Sequence, residues 1–200
     1  MNNKTRILLP VLLLTLSLTA ASQSKRVNFD ILRNGNKVGR LFFSEMVFEE
    51  TDSLRLEYRV KTKFIWTFVA EAKEMTVFKN GILRESSIYR RLDGKEKINK
   101  RQRAQNGKYV ITAGANSSEL KSYPITYDML NLYSKEPVNI RKVYSGNFES
   151  TLNIEKIGDH KYKVSLPDNS YNYYFYRDGI LNEMEIHHTL YSAKIILAAK

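Results

Sequence analysis

Residues 54–63 read LRLEYRVKTK, and this stretch decides the fold. One set of alternate positions carries leucine, tyrosine, valine and threonine, while the other set carries only charged side chains. A period of two is typical of a β-strand that buries one face and exposes the other. Further runs rich in β-branched and aromatic residues, as strands favour, lie at residues 27–32, 38–48, 64–78, 82–92, 109–112, 151–157, 162–166, 171–176 and 180–190.

Tight-turn dipeptides separate many of these runs. They are Asn34-Gly35, Asn80-Gly81, Asp93-Gly94, Asn106-Gly107 and Asp178-Gly179. Both central residues of a type I′ hairpin turn need a positive φ, which Asn, Asp and Gly tolerate best. Turns of this kind indicate hairpins that follow one another, and therefore an up-and-down order of strands.

One segment departs from the strand pattern. It starts at Tyr123-Pro124, and Thr126 is predicted to cap a short helix that runs to about Tyr133. The prediction is therefore an all-β fold, an antiparallel up-and-down meander of about ten strands with one short helix. Such a meander protects its edges by curling into a barrel or half-barrel. A flat two-sheet sandwich is the alternative.

The N-terminus predicts export. Lys4 and Arg6 precede an apolar run at residues 7–18, and a stretch of small residues follows it. These are the parts of a secretory signal peptide, whereas a membrane anchor needs about 20 apolar residues. We predict a signal peptide at residues 1–22, a single β-barrel-like domain at 23–200, and a location in the periplasm or outside the cell. No later run is long enough to span a membrane, and without cysteine the chain has no disulfide.

Positive charge is concentrated in one part of the chain. The formal net charge is +11, and nine arginine and lysine residues between Arg84 and Lys108 face only three acidic ones. A basic patch attracts phosphates or anionic headgroups, and export argues against nucleic acid as the partner. The residues predicted to contact an anionic, lipid-like amphiphile are Arg90, Arg91, Lys97 and Arg101. The alternative is a charged outer face that prevents edge pairing.

An aromatic cluster lies at residues 171–176. Alternation places Tyr171, Tyr173 and Phe175 on one face, and Asn172, Tyr174 and Tyr176 on the other. Tyrosine combines an apolar body with a polar tip, which suits the mouth of a ligand cavity. Tyr171 and Tyr173 are therefore further candidate ligand-binding residues. Cross-strand packing is the alternative.

The densest group of possible metal ligands is Glu183, Glu185 and His187, which share one face of a predicted strand. Two carboxylates and an imidazole can hold a divalent metal, but alternate strand residues stand nearly 7 Å apart. A solvated polar face is the favoured interpretation. The chain has neither a Gly-x-Ser-x-Gly elbow nor a glycine-rich phosphate loop. We therefore expect no cofactor and no enzymatic activity.

Several short motifs along the chain resemble those of a known protein family. They are Phe29-x-Ile31, Asn34-Gly35-x-x-Val38-Gly39, the turn at residues 78–83, Pro124-Ile125-Thr126-Tyr127, Leu132-Tyr133-x-x-Glu136-Pro137 and Tyr173-x-x-Tyr176-x-x-Gly179. Their order resembles an uncharacterised family of exported bacterial proteins known as a domain of unknown function. In size and expected shape, the chain is also similar to periplasmic lipoprotein carriers, which hold acyl chains in a half-barrel. The resemblance implies a signal peptide and a β-rich fold, and it transfers no catalytic residue.

These observations favour a non-enzymatic envelope protein that binds an apolar or amphipathic, lipid-like ligand in a curved sheet. The alternative is a structural or protein-interaction module with a fully packed core. A metal-dependent hydrolase built on Glu183, Glu185 and His187 is a third hypothesis. A hollow interior favours the first of these, and a solid core favours the second.

Overall fold

One antiparallel sheet forms most of the molecule. The computed structural model describes residues 22–63, 67–121 and 124–199, so the predicted signal peptide lies almost entirely outside the described residues. The strands are β1 (Gln23–Arg33), β2 (Asn36–Phe48), β3 (Thr51–Lys63), β4 (Thr67–Lys79), β5 (Ile82–Leu92), β6 (Lys95–Gln105), β7 (Lys108–Ala113), β8 (Asn116–Leu120), β9 (Lys142–Ser145), β10 (Ser150–Gly158), β11 (Lys161–Ser165), β12 (Tyr171–Arg177), β13 (Ile180–His188) and β14 (Tyr191–Leu197). The helix α1 (Asn131–Ser134) lies between β8 and β9.

The strand order confirms the predicted meander. Neighbours along the chain pair in antiparallel fashion from β1 to β8 and from β9 to β14, and β1 also pairs with β14. The two terminal strands therefore meet inside the sheet, while β8 and β9 form its edges. The sheet curls into a barrel-like shape without closing, and it is a single sheet rather than a two-sheet sandwich.

Among the described residues, fourteen strands are present where about ten were predicted. The strands that the sequence pattern did not indicate are β6, β8, β9 and β14. In β6, for example, Lys100 and Gln102 face inward while Arg101 and Arg103 are exposed, so apolar and polar residues do not alternate. Pairing with β5 and β7 supplies the backbone hydrogen bonds that define the strand.

The five predicted hairpin dipeptides all form turns between consecutive strands. Each of their ten residues has a positive φ, between 48° and 76°. This is the conformation that type I′ turns require and that residues with a Cβ rarely adopt. The prediction of sequential hairpins is confirmed.

The connection between β8 and β9 passes through the interior of the curved sheet. The carbonyl of Ile125 accepts a hydrogen bond from the Leu83 N–H, and the carbonyl of Tyr127 accepts one from the Tyr144 N–H. The predicted helix start at Thr126 is therefore wrong, because these contacts hold the backbone extended. The helix begins only at Asn131, after the Asp128 carboxylate has accepted the N–H groups of Leu130 and Asn131.

The connection between β8 and β9, residues 124–141, is called the inner segment, and it fills one end of the curved sheet. Leu132 and Tyr133 are buried there, and the Tyr133 ring packs 6.0 Å from Phe29 and 5.9 Å from Phe43. Tyr109 anchors the segment, because its hydroxyl donates to the Leu83 carbonyl and accepts the Ile125 N–H. The apolar core therefore lies at the end formed by the β4–β5 and β12–β13 turns. Within the described residues, no helix is long and apolar enough to cross a membrane.

Candidate functional site

The concave side of the sheet encloses a cavity of about 610 Å³. Small-molecule sites typically have volumes of about 300–1,000 Å³. The cavity opens at the opposite end from the core, where the β1–β2, β5–β6 and β13–β14 connections lie. Its size and position make it the main candidate for a ligand site.

Most of the cavity wall is apolar. The alternation that decided the fold places Leu56, Tyr58 and Val60 along one wall, while their charged neighbours point outward. Apolar side chains from several other strands complete the wall, among them Ile31, Phe68, Leu92, Ile186 and Ile195. A surface of this kind favours an apolar ligand group, because its burial releases water from both partners.

A largely buried ion pair interrupts the apolar wall. Arg90 on β5 donates from Nε and Nη2 to a single carboxylate oxygen of Glu74 on β4, at 3.0 and 2.6 Å. The side chains of Arg90 and Glu74 are 31% and 12% exposed. Burial opposes the charge on Arg90, but Glu74, followed by Tyr58, outweighs it and raises the pKa of the guanidinium. Each charge therefore depends on the other.

Asp128 contributes a second acidic group to the cavity. Its side chain is buried, and one carboxylate oxygen accepts the backbone N–H groups of Leu130 and Asn131. Burial raises the pKa of Asp128 to about 7, and the charge of Glu74 acts in the same direction. The backbone donors oppose this rise but do not cancel it. Asp128 therefore exchanges a proton near neutral pH.

Two buried polar side chains on the cavity wall each have one polar atom without a hydrogen-bond partner among the described residues. Thr76 and Asn172 are 4% and 7% exposed, and among the described residues nothing hydrogen-bonds Thr76 Oγ1 or Asn172 Oδ1. The Thr76 hydroxyl is near enough to the Asp128 carboxyl to favour its charged form, but the two make no hydrogen bond of normal geometry. Buried polar groups in proteins are usually satisfied, so both atoms are available to a ligand.

The mouth of the cavity is more polar than its wall. His188 stacks on Tyr191 with ring centroids 4.8 Å apart, and its Nε2 lies 4.0 Å from the carboxylate of Asp168. Arg33 lies on the same rim, where it donates to the Thr62 hydroxyl and to the Lys63 carbonyl. Amphipathic and charged side chains therefore surround the entrance.

The six predicted ligand-binding residues divide between the two faces of the sheet. Arg90 lines the cavity. Its neighbour Arg91 is exposed and donates to the Gly94 carbonyl, and Lys97 and Arg101 are also exposed on the outer face. Tyr171 and Tyr173 lie outside as well, with ring centroids 4.7 and 5.4 Å from that of His187. Of the six predicted residues, only Arg90 therefore lines the cavity.

Glu74, Thr76 and Asp128 are among the polar cavity residues that the sequence pattern did not single out. One signal was available for Glu74, because it occupies an inward position of β4 between Ala72 and Thr76. A carboxylate at such a position is unusual in a strand core. Asp128 carried no comparable signal, since its burial depends on the path of the inner segment.

The possible metal ligands lie on the outer face. Lys194 Nζ lies 2.8 Å from Glu183 and 2.6 Å from Glu185, and His187 Nε2 lies 3.2 Å from Glu185. Both carboxylates are therefore neutralised by an ammonium group. In the described ranges, no group of three or more acidic or histidine side chains is placed to hold a metal ion.

Comparison with known families identifies the sequence family of this chain. Residues 29–198 match the sequence profile of a domain of unknown function, DUF6134. The chain belongs to the DUF6134 family. This match confirms the resemblance to an uncharacterised family that the order of motifs indicated.

The DUF6134 chain is also similar to a solved structure, the β-barrel-like protein of domain of unknown function DUF1849 from Brucella abortus. The TM-score is 0.55 and the sequence identity is 14%, and the alignment covers 86% of this chain and 94% of that one. At this identity the similarity concerns the fold alone. No curated protein matches the DUF6134 chain significantly.

Proposed function

We propose that this DUF6134 protein is a non-enzymatic protein of the cell envelope that binds an apolar or amphipathic, lipid-like ligand inside its curved sheet. The observation that carries the proposal is the cavity of about 610 Å³ with its mainly apolar wall. Burial of apolar ligand surface contributes roughly 25 cal/mol per Å². The predicted signal peptide at residues 1–22 supports the envelope location.

The energetics of a cavity of this size also support a ligand. Apolar cavities lower the stability of a protein because the lining side chains lose packing contacts. A ligand that fills the space restores those contacts and raises the free energy of unfolding by mass action. The alternative function, an interaction module with a fully packed core, does not require a cavity of this size.

The proposal predicts that a bulky side chain placed inside the cavity weakens ligand binding. Ala70 lies on the cavity wall, opposite Val60 and Leu92 in the neighbouring strands. An Ala70→Trp substitution should weaken binding of N-phenyl-1-naphthylamine, a neutral apolar probe, by about tenfold or more, because an indole occupies its place. Probe fluorescence measures the effect. Mass spectrometry of organic extracts should find lipid with the wild-type protein and less with the variant.

The matched control is Ala113→Trp, because Ala113 is exposed on β7 and does not line the cavity. This variant should bind the probe as the wild type does. A wild-type protein that neither binds the probe nor carries lipid would contradict the proposal and favour the interaction module.

We further propose that the outer face of β5 and β6 contacts anionic headgroups. Arg91, Lys97 and Arg101 are exposed on this face. Each basic residue near an anionic surface contributes about 1 kcal/mol. Replacing Lys97 and Arg101 together by glutamate should therefore reduce binding to phosphatidylglycerol-containing vesicles by more than about tenfold. Vesicle co-sedimentation at low salt measures this.

The control for charge alone is a double glutamate variant of Lys61 and Lys63, which are exposed on β3 outside the basic segment. It has the same net charge as the test variant and should retain most of the vesicle binding. Equal losses in the two variants would mean that net charge, rather than this face, attracts the vesicles.

A further inference from the structure

We infer that the polar group of the ligand is uncharged, a hydroxyl or a similar hydrogen-bonding group, and that it binds at the inner end of the cavity beside Thr76 and Asp128. This inference rests on the proposed function and names the class of ligand. A long-chain alcohol or the hydroxyl of a neutral lipid has the required chemistry. A free fatty acid of the same length does not.

The position of Thr76 sets the orientation of the ligand. Along β4, the inward residues run from Phe68 and Ala70 near the mouth, through Glu74, to Thr76. The next inward residue, Phe78, is buried in the core and does not line the cavity. Thr76 is therefore the innermost cavity residue of its strand, and the apolar part of the ligand extends from it toward the mouth.

The charges at the inner end disfavour an anionic group. Glu74 and Asp128 are two carboxyl groups, and Arg90 is the cation that lines the cavity beside them. The Nε and Nη2 groups of Arg90 both donate to Glu74. The nearby Lys100 does not line the cavity, and its ammonium lies 2.6 Å from Glu149. A carboxylate ligand would therefore lose its hydration without gaining an unpaired cation.

The hydrogen-bonding groups suit a hydroxyl. Thr76 Oγ1 is buried beside the carboxyl of Asp128, with which it makes no hydrogen bond of normal geometry. The backbone bonds of Asp128 use one carboxylate oxygen. A ligand hydroxyl can accept from Thr76 and donate to the carboxyl of Asp128 at the same time. Such a pair of bonds satisfies buried groups that are otherwise costly to leave unpaired.

Competition with ligands of equal chain length tests the inference. At pH 8, 1-dodecanol and dodecanoate would each displace N-phenyl-1-naphthylamine from the full protein. We expect dodecanol to do so at a concentration about tenfold or more below that of dodecanoate, because its head group enters uncharged. Equal or better displacement by the carboxylate would overturn the inference.

A substitution locates the head group. Thr76→Val removes the hydroxyl at nearly constant volume and should weaken dodecanol binding relative to probe binding by about fivefold, the effect of one net hydrogen bond. Thr112→Val, at an exposed position of β7, is the matched control and should change neither. Unchanged dodecanol binding in Thr76→Val would overturn the inner location. Absence of probe binding to the wild type would instead refute the proposed function itself.

Discussion

Replacing Arg90 with methionine is expected to lower the free energy of unfolding by about 3 kcal/mol. The substitution leaves the Glu74 carboxylate, whose side chain is only 12% exposed, on the cavity wall without its partner. Removal of one member of a buried ion pair costs about 3–5 kcal/mol, and the partial exposure of Arg90 places the effect at the lower end. Urea denaturation followed by circular dichroism measures the change.

Two controls separate the effect of breaking the ion pair from the effect of losing side-chain packing. The double variant Glu74→Gln with Arg90→Met should recover most of the stability, because no unpaired charge remains. Arg103→Met removes an arginine from a pair with Glu85 in which the side chains are 60% and 36% exposed. That change should cost less than about 1 kcal/mol. A double variant as unstable as Arg90→Met would show that packing by Arg90, rather than its charge, stabilises the wall.

The second large effect is on the pH dependence of stability. Burial raises the pKa of Asp128 from its ordinary value of 3.8 to about 7 in the folded protein. The folded state therefore holds a proton that the unfolded chain releases, so stability is greatest below the unfolded pKa and falls as the pH rises through 7. Relative to Asp128→Asn, the wild type should lose about 3 kcal/mol between pH 5 and pH 8.

Unfolding free energies of the two proteins across this range give the measurement. The amide retains an oxygen that can accept the N–H groups of Leu130 and Asn131, so the comparison isolates the proton. Burial chiefly raises the pKa of Asp52 on β3 to about 6. Asp52 is present in both proteins, so its contribution to the pH dependence cancels in the comparison. Asp159, with a side chain that is 93% exposed, is the control position for the same substitution. Parallel pH curves for the wild type and Asp128→Asn would contradict the prediction.

The strand pattern predicted the fold because many of the hairpins carry their own local signals. Residues 54–63 alternate, and Leu54 and Leu56 are buried as that alternation requires. Dipeptides such as Asn34-Gly35 adopt the positive φ values that their chemistry favours. Neither signal depends on distant parts of the chain. The strands that escaped prediction, β6 among them, instead take their conformation from their neighbours.

The candidate site was less predictable because it depends on which face of each strand turns inward. The charge run predicts one basic patch between Arg84 and Lys108, but Arg90 faces the cavity while Arg91 faces outward. Charge runs contain no information about this division when both faces carry polar residues. Alternation did separate Tyr173 from Tyr174 correctly, since the inward residue, Tyr174, is fully buried.

By itself, the sequence determined the antiparallel meander, its hairpin turns and membership of the DUF6134 family. These follow from local periodicity and turn chemistry, which act over a few residues. Only the tertiary structure decided that the interior of the curled sheet holds a cavity and that β1 meets β14. It also decided that Asp128 is buried close enough to Glu74 for the charge of Glu74 to raise the pKa of Asp128. Such juxtapositions join residues far apart in the chain, so no local pattern encodes them.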